Sequence, residues 1–227
     1  MNTNQKAARM AGFLYLVYIV SATLADVIGR SMIVYGDAAT TAKNVVASAA
    51  QFQIGFVTDL VSGVLFLLTA WALYVLLRPV DRHLALLFLM LNLAGVAVQC
   101  LNDLNLVAAL QFLSGADALK TFQIDQLQAL ALVFLTVYKN GFWICQIFFG
   151  AWLFPLGYLV FKSGFLPKIL GIVIMVHSVG WLITFLQWFL FPGLGVITYL
   201  TYPLGFVSEF GLAMWLLIKG IAEPKAG

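Results

Sequence analysis

PKILGIVIMVHSVGWLITFLQWFL, residues 167–190, is the stretch whose reading decides the fold. It carries one formal charge, Lys168, beside its first residue, and no acidic group. At about 1.5 Å of rise per residue it spans roughly 36 Å, enough to cross a hydrocarbon core of about 30 Å. Its polar members His177, Gly180, Thr184 and Gln187 fall at spacings of three, four and three, a single narrow stripe on an otherwise apolar helix. A helix that is apolar on nearly every side needs lipid around it, not water. Pro167 suits the first helical position, and Phe191-Pro192-Gly193-Leu194-Gly195 is a tight turn.

Reading outward from this segment gives five more of its kind. The expected spans are 10–29, 54–77, 84–112, 139–161, 167–190 and 196–218, within one transmembrane domain covering 1–227. The chain is 63% hydrophobic and 9% charged, whereas a soluble domain has roughly 25% charged residues, so too little polar surface exists to cover it in water. The fold class is therefore all-α: a polytopic membrane helix bundle of six transmembrane helices. The apolar run from Ala11 is longer than the roughly 7–15 residues of a signal-peptide core, so it reads as the first span and not as a cleaved leader.

Connections add detail. Asp37 is placed to cap a short amphipathic helix, Ala38–Ala50, with Ala39, Ala42, Val46 and Ala49 on one face, lying on the membrane surface. Residues 124–162 would make a helix of about 58 Å, twice a membrane. We read 124–138 as an extramembrane amphipathic turn or two, with Lys139-Asn140-Gly141 marking entry into the span. Basic residues orient the bundle. With the N-terminus inside, inner flanks hold Lys6, Arg9, Arg78, Arg82, Lys162, Lys168, Lys219 and Lys225, and outer flanks only Arg30, Lys43, Lys120 and Lys139. Both termini are thus expected on the cytoplasmic side, and the short amphipathic helices on the outer face. Tyr74, Tyr158 and Trp215 would then mark the inner interface, and Trp188, Tyr199 and Tyr138 the outer one.

The inner loops are short, so function is expected within the bilayer, on the outer face, or in contact with partner helices. No run of four basic residues occurs, and nucleic acid is not an expected partner. Membrane lipids are, and a membrane-protein partner or a second copy of the chain remains open. Cys100 and Cys145, both in apolar segments, read as small packing residues. No His-Glu-x-x-His motif occurs, and His83 and His177 are too few at usable depth for two axial haem ligands. No metal, cofactor or catalytic residue is expected.

Ionisable residues inside spans are costly and are the default functional candidates. His177 and Glu209 each lie sixteen residues from Gly193, so a straight antiparallel hairpin places them level. Thr201, Gly205 and Ser208 form a stripe beside Glu209, and Pro203 removes a helix hydrogen bond nearby. A Glu–His proton site fits this pattern; so does hydrogen-bond packing between helices, worth about 0.6 kcal/mol on average. A second cluster gathers Asp59, Asn92, Gln99, Asn102 and Asp103, with Lys139 and Gln146 on the fourth span. If these faces converge they line a polar pocket open to the outside; the alternative is that Asp26, Asp103 and Lys139 simply sit in the headgroup zone, where charge is cheap, leaving Asp59, Gln99 and Asn102 as the deeper site. Asp26 and Arg30 stand four apart, a spacing that suits an ion pair.

Several stretches, notably Ala7-Ala8-Arg9-Met10-Ala11-Gly12-Phe13-Leu14-Tyr15, Tyr35-Gly36-Asp37-Ala38-Ala39, Gly55-Phe56-Val57-Thr58-Asp59-Leu60, Tyr74-Val75-Leu76-Leu77-Arg78-Pro79-Val80 and Gly157-Tyr158-Leu159-Val160-Phe161-Lys162-Ser163-Gly164-Phe165-Leu166-Pro167-Lys168-Ile169-Leu170-Gly171, carry a resemblance over most of the chain. The chain resembles the bacterial multi-pass membrane family known as domain of unknown function 4386. The resemblance implies a bacterial cytoplasmic-membrane protein and carries over no activity or site residue.

Three functions compete. In the first, the bundle binds or transports a lipid or small amphiphile through its polar pocket, with protons coupled through His177 and Glu209. Three helices plus three gives halves of opposite orientation, as in inverted-repeat carriers, although 1–112 and 124–227 share no residue-level similarity. In the second, the chain is an accessory subunit of a larger complex, with Gly141, Gly150 and Gly157 offering close contact to a partner. The third, a lipid enzyme using Glu209 or Asp59 as acid–base, rests on isolated carboxylates and ranks last.

Overall fold

A computed structural model describes residues 3–222. All regular structure among these residues is helical. The helices are α1 (Thr3–Gly29), prolonged by a 3₁₀ turn (Arg30–Met32), α2 (Ala38–Ala47), α3 (Ala49–Leu77), α4 (Arg82–Asn102), α5 (Leu104–Phe112), α6 (Ile124–Lys162), α7 (Lys168–Leu190), α8 (Val196–Gly205) and α9 (Gly211–Ile218). A π-helical segment, Phe206–Phe210, joins α8 to α9. Six stretches are long and apolar enough to cross a membrane: Asn4–Met32, Ala49–Leu77, Arg82–Phe112, Ile124–Lys162, Lys168–Leu190 and Thr201–Ile218.

Two expectations about boundaries change. Helix α6 runs unbroken through Lys139-Asn140-Gly141, so no joint separates 124–138 from the fourth span expected at 139–161. Gly141 does not break the helix because it lies against the side chain of Asn102, where a Cβ would collide. The third span reaches Phe112 as expected, with Asp103 as a single turn residue between α4 and α5. Helix α2 is capped as expected, Thr40 N–H donating to Asp37 Oδ1 at 2.9 Å, but it ends at Ala47 and buries Thr41, Ala42 and Val45, not the Ala39/Val46 face. Lys225, counted among the inner basic residues, lies outside the described residues.

The chain divides into two compact units. The first comprises the described parts of Met1–Ile19, Val64–Ala97 and Trp143–Gly227. Its core centres on Trp152, whose indole meets Tyr15, Phe66 and Phe88 at ring distances of 6.5, 5.0 and 6.2 Å. Small residues bring its helices together, as dispersion-driven packing in lipid favours. Gly12 lies against the α9 backbone, and Gly157 and Gly171 face each other, so a Cβ on any of the three would meet main chain at 2.5–2.8 Å.

The second unit comprises Val20–Gly63 and Val98–Phe142. Its core joins Met32, Val45, Phe52, Leu106, Leu135 and Tyr138. Here Gly29 and Gly55 meet backbone to backbone.

Candidate functional site

Each unit holds one polar cluster. In the first unit it is built on α7 and the segment after α8. His177 is fully buried, with Nδ1 2.8 Å from Ser208 Oγ and 3.6 Å from Glu209 Oε1. The expected level placement of His177 and Glu209 is therefore found. The π turn is part of the reason that Ser208 and Glu209, adjacent in sequence, both reach one ring nitrogen. A wider turn reduces the angle between neighbouring side chains, and such bulges recur at functional sites. Pro203, three residues upstream of the π segment, supplies no N–H to the helix ladder there.

Tyr15 of α1 completes the cluster. Its hydroxyl, fully buried, donates to Glu209 Oε2 at 2.7 Å. His177 Nε2 has no partner among the described residues. That edge of the ring lies against Gly205, where a Cβ would stand 3.0 Å from both Cε1 and Nε2. The polar stripe continues along α7 and α8: Thr184 Oγ1 lies 3.0 Å from Thr201 Oγ1, and Thr198 Oγ1 donates to Gln187 Oε1 at 2.9 Å. No lysine or arginine pairs with Glu209 among the described residues. Two further orphaned atoms in this unit, both amide atoms of Asn92, belong to a residue that is fully buried. Gln146 is buried here as well.

In the second unit the centre is Arg30. Its Nε donates to Asp26 Oδ1 at 2.6 Å and its Nη1 to Asp59 Oδ2 at 2.7 Å. Nη1 also donates to the Tyr138 hydroxyl, which in turn donates to Asp59 Oδ2 at 3.1 Å. The expected i,i+4 pair is present, and Arg30 extends it to a second helix. Asp59 is the more enclosed partner, its side chain 11% exposed against 66% for Asp26. Gln99 donates to Asp103 Oδ1 at 2.8 Å, and Asp103 is within electrostatic reach of both Asp59 and Arg30. Asn102 is spent on structure: its amide donates to the Tyr138 carbonyl at 2.9 Å. The Lys139 ammonium sits 4.4 Å from the Tyr35 ring centroid.

The candidate residues thus separate. Asp26, Arg30, Asp59, Gln99, Asn102 and Asp103 share the second unit, whereas Gln146, His177 and Glu209 belong to the first. Two participants escape a reading of the sequence, Tyr15 and Tyr138. Tyr138 was expected at the outer interface, yet it is 1% exposed and bonded within the Arg30 network. A signal for both exists: a tyrosine hydroxyl within an apolar span must find an acceptor. The glycines offered to a partner helix are used within the chain: Gly141 against Asn102, Gly150 against Trp181 and Leu182, Gly157 against Gly171. Among the described residues no disulfide forms, Cys145 being buried and Cys100 exposed, and no group of three or more His, Cys, Asp or Glu is arranged to hold a metal ion.

Six apolar helices carrying ionisable residues in their interior define a multi-pass membrane protein of all-α architecture. The chain belongs to the family described as domain of unknown function (DUF4386), whose profile matches residues 10–220. It is similar to an uncharacterized protein of Archaeoglobus fulgidus, 34% identical over 154 residues, covering 66% of this chain and 74% of that one. No solved structure matches it. The family therefore has an archaeal relative beside the bacterial members that the resemblance implied.

Proposed function

We propose that this protein binds or transports a lipid or small amphiphilic molecule in the membrane, using the Tyr15–Glu209–His177 cluster as its proton-exchanging element. The observation that carries this reading is that, among the described residues, Nε2 of a fully buried histidine has no partner and the carboxylate beside that histidine has no lysine or arginine. Hydrogen-bond packing alone favours satisfied polar atoms, since an unpaired buried one costs about 1–3 kcal/mol. A carboxyl and an imidazole in such surroundings can each exist charged or neutral, and the balance follows what binds near them. The Arg30 network of the second unit, with Asp59 and Gln99, is a second, independent candidate for polar contact with such a molecule. The accessory-subunit reading draws less support, because the three glycines it relied on face this chain's own side chains and backbone.

Native mass spectrometry on protein extracted gently from its own membrane tests the reading. A discrete added mass of the size of one lipid or metabolite is expected. It should be lost or weakened in Asp59→Asn and Glu209→Gln. If both variants keep the ligand and any proton coupling unchanged, the reading fails. A larger stoichiometric assembly in place of a small ligand would move the assignment to a subunit role.

A further inference from the structure

We infer a second binding site, for the anionic headgroup of a membrane phospholipid, at the end of the first unit where α6, α7 and α9 terminate. A cavity of about 300 Å³ lies there, between the turn joining α6 to α7 and the chain leaving α9. Phe165, Leu166 and Pro167 form one wall; Trp215, Lys219 and Ile221 form the other. This site is separate from the His177 and Arg30 clusters and does not depend on what they do.

The walls are built, not casual. Gly164 and Gly220 turn the chain at φ +72° and +69°, in the left-handed region that only glycine enters without strain. The Gln5 side chain clamps the segment after α9, its amide donating to the Lys219 carbonyl at 2.9 Å and its oxygen accepting from Ile221 N–H at 3.0 Å. Ala222 N–H donates to the Phe165 carbonyl at 3.1 Å, tying the two walls together. The residues around the opening are therefore held in place before anything binds, which lowers the ordering cost of binding.

Charge and polarity select the occupant. From residue 160 onward the sequence carries Lys162, Lys168, Lys219 and Lys225 against Glu209, which Tyr15 and His177 engage, and Glu223, while Asp81 lies within electrostatic reach of Lys162. Lys219 lines the cavity and is exposed, so its ammonium is available to a phosphate. The α7 N-terminus, at Pro167, has no side-chain cap, which leaves its first-turn N–H groups without a side-chain acceptor. Apolar Phe165, Leu166 and Ile221 suit the glycerol and upper acyl region, and Trp215 is the amphipathic ring that favours the membrane–water boundary. A basic pocket between helix ends is the expected seat of an anionic headgroup. A free phosphate has no use for the apolar walls.

The test is lipid retention on the whole protein by native mass spectrometry, with phosphatidylglycerol and phosphatidylcholine supplied in turn. Phosphatidylglycerol is expected to be retained in preference. Lys219→Ala should weaken that retention roughly fivefold, while Lys120→Ala, a lysine outside this unit, leaves it unchanged. The Lys219 hydrogen bond to Gln5 uses its main chain, so this variant keeps the clamp. Ala222→Trp, which fills the cavity, should abolish the preference. Equal effects of the two lysine variants, or equal retention of the two lipids, would overturn the site. Displacement of phosphatidylglycerol by inorganic phosphate at matched ionic strength would reassign it to a free anion and overturn the lipid assignment.

Discussion

The two polar clusters solve the same problem in opposite ways. Around Arg30, a permanent cation is shared by two carboxylates and a tyrosine, so a fixed positive charge is present whatever happens nearby. Around His177, every polar group can be neutral, and no permanent cation fixes the charge of Glu209. The first arrangement costs heavily when broken; the second changes state at small cost. The difference teaches that the second unit's ions are suited to holding helices and orienting a bound group. The first unit's cluster is suited to taking up and releasing a proton.

Breaking the Arg30 cluster should have the largest effect. Arg30→Met leaves Asp59 enclosed without its cation, and removing one partner of a buried pair costs about 3–5 kcal/mol. The low end applies, since Arg30 keeps 20% side-chain exposure. A thermal melt in detergent should show a marked drop, and adding Asp59→Leu should recover most of it. If the double variant is no more stable than the single, the Arg30–Asp59 pair is not what carries the loss.

A smaller effect is expected from Tyr15→Phe, which removes one hydrogen bond to Glu209. Stability should fall by about 0.6 kcal/mol and no more than about 2 kcal/mol, the range for interhelical hydrogen bonds in lipid. Ligand retention or proton coupling should fall further than stability does. A stability loss equal to that of Arg30→Met would erase the contrast between the clusters.

The smallest effect concerns Asp37, fully exposed at the start of α2. Its carboxylate is held below the usual range first by the Thr40 backbone N–H and then by the Thr40 hydroxyl. A depressed carboxyl contributes stability that is present above its unfolded value and is lost as pH falls through its folded one. Amide protection of α2, taken relative to the intrinsic exchange rate at each pH, should therefore fall below about pH 4. Asp37→Asn should flatten that dependence, because the amide caps without titrating. Protection that still falls with pH in the variant would shift the cause to another group.

Much of this was legible in the residues. Six apolar segments, the Asp37 cap, the Asp26–Arg30 spacing and the level placement of His177 with Glu209 all follow from period and count. What escaped reading depended on side-chain contact across helices. Lys139-Asn140-Gly141 looked like a break because charge and glycine usually punctuate a span. Packing of Gly141 against Asn102 and of Lys139 over Tyr35 lets the helix continue. Tyr138 looked like an interfacial anchor because tyrosines gather there, and only the approach of Arg30 and Asp59 explains its burial. Glycine faces are likewise silent about whether they meet another chain or their own.

The π segment at Phe206–Phe210 has a consequence for how the family can vary. Such a bulge is one residue more than an α-helix needs. Deleting Val207 would let α8 and α9 merge into one regular helix, turning everything on one side of the cut by about 100° against the other. Ser208 and Glu209 would then no longer converge on one nitrogen, although every side chain of the cluster would still be present. The site is therefore encoded partly as a spacing. Relatives that retain the glutamate and histidine but are one residue shorter between Pro203 and Gly211 are expected to have lost this convergence, and relatives that keep the count are expected to keep it.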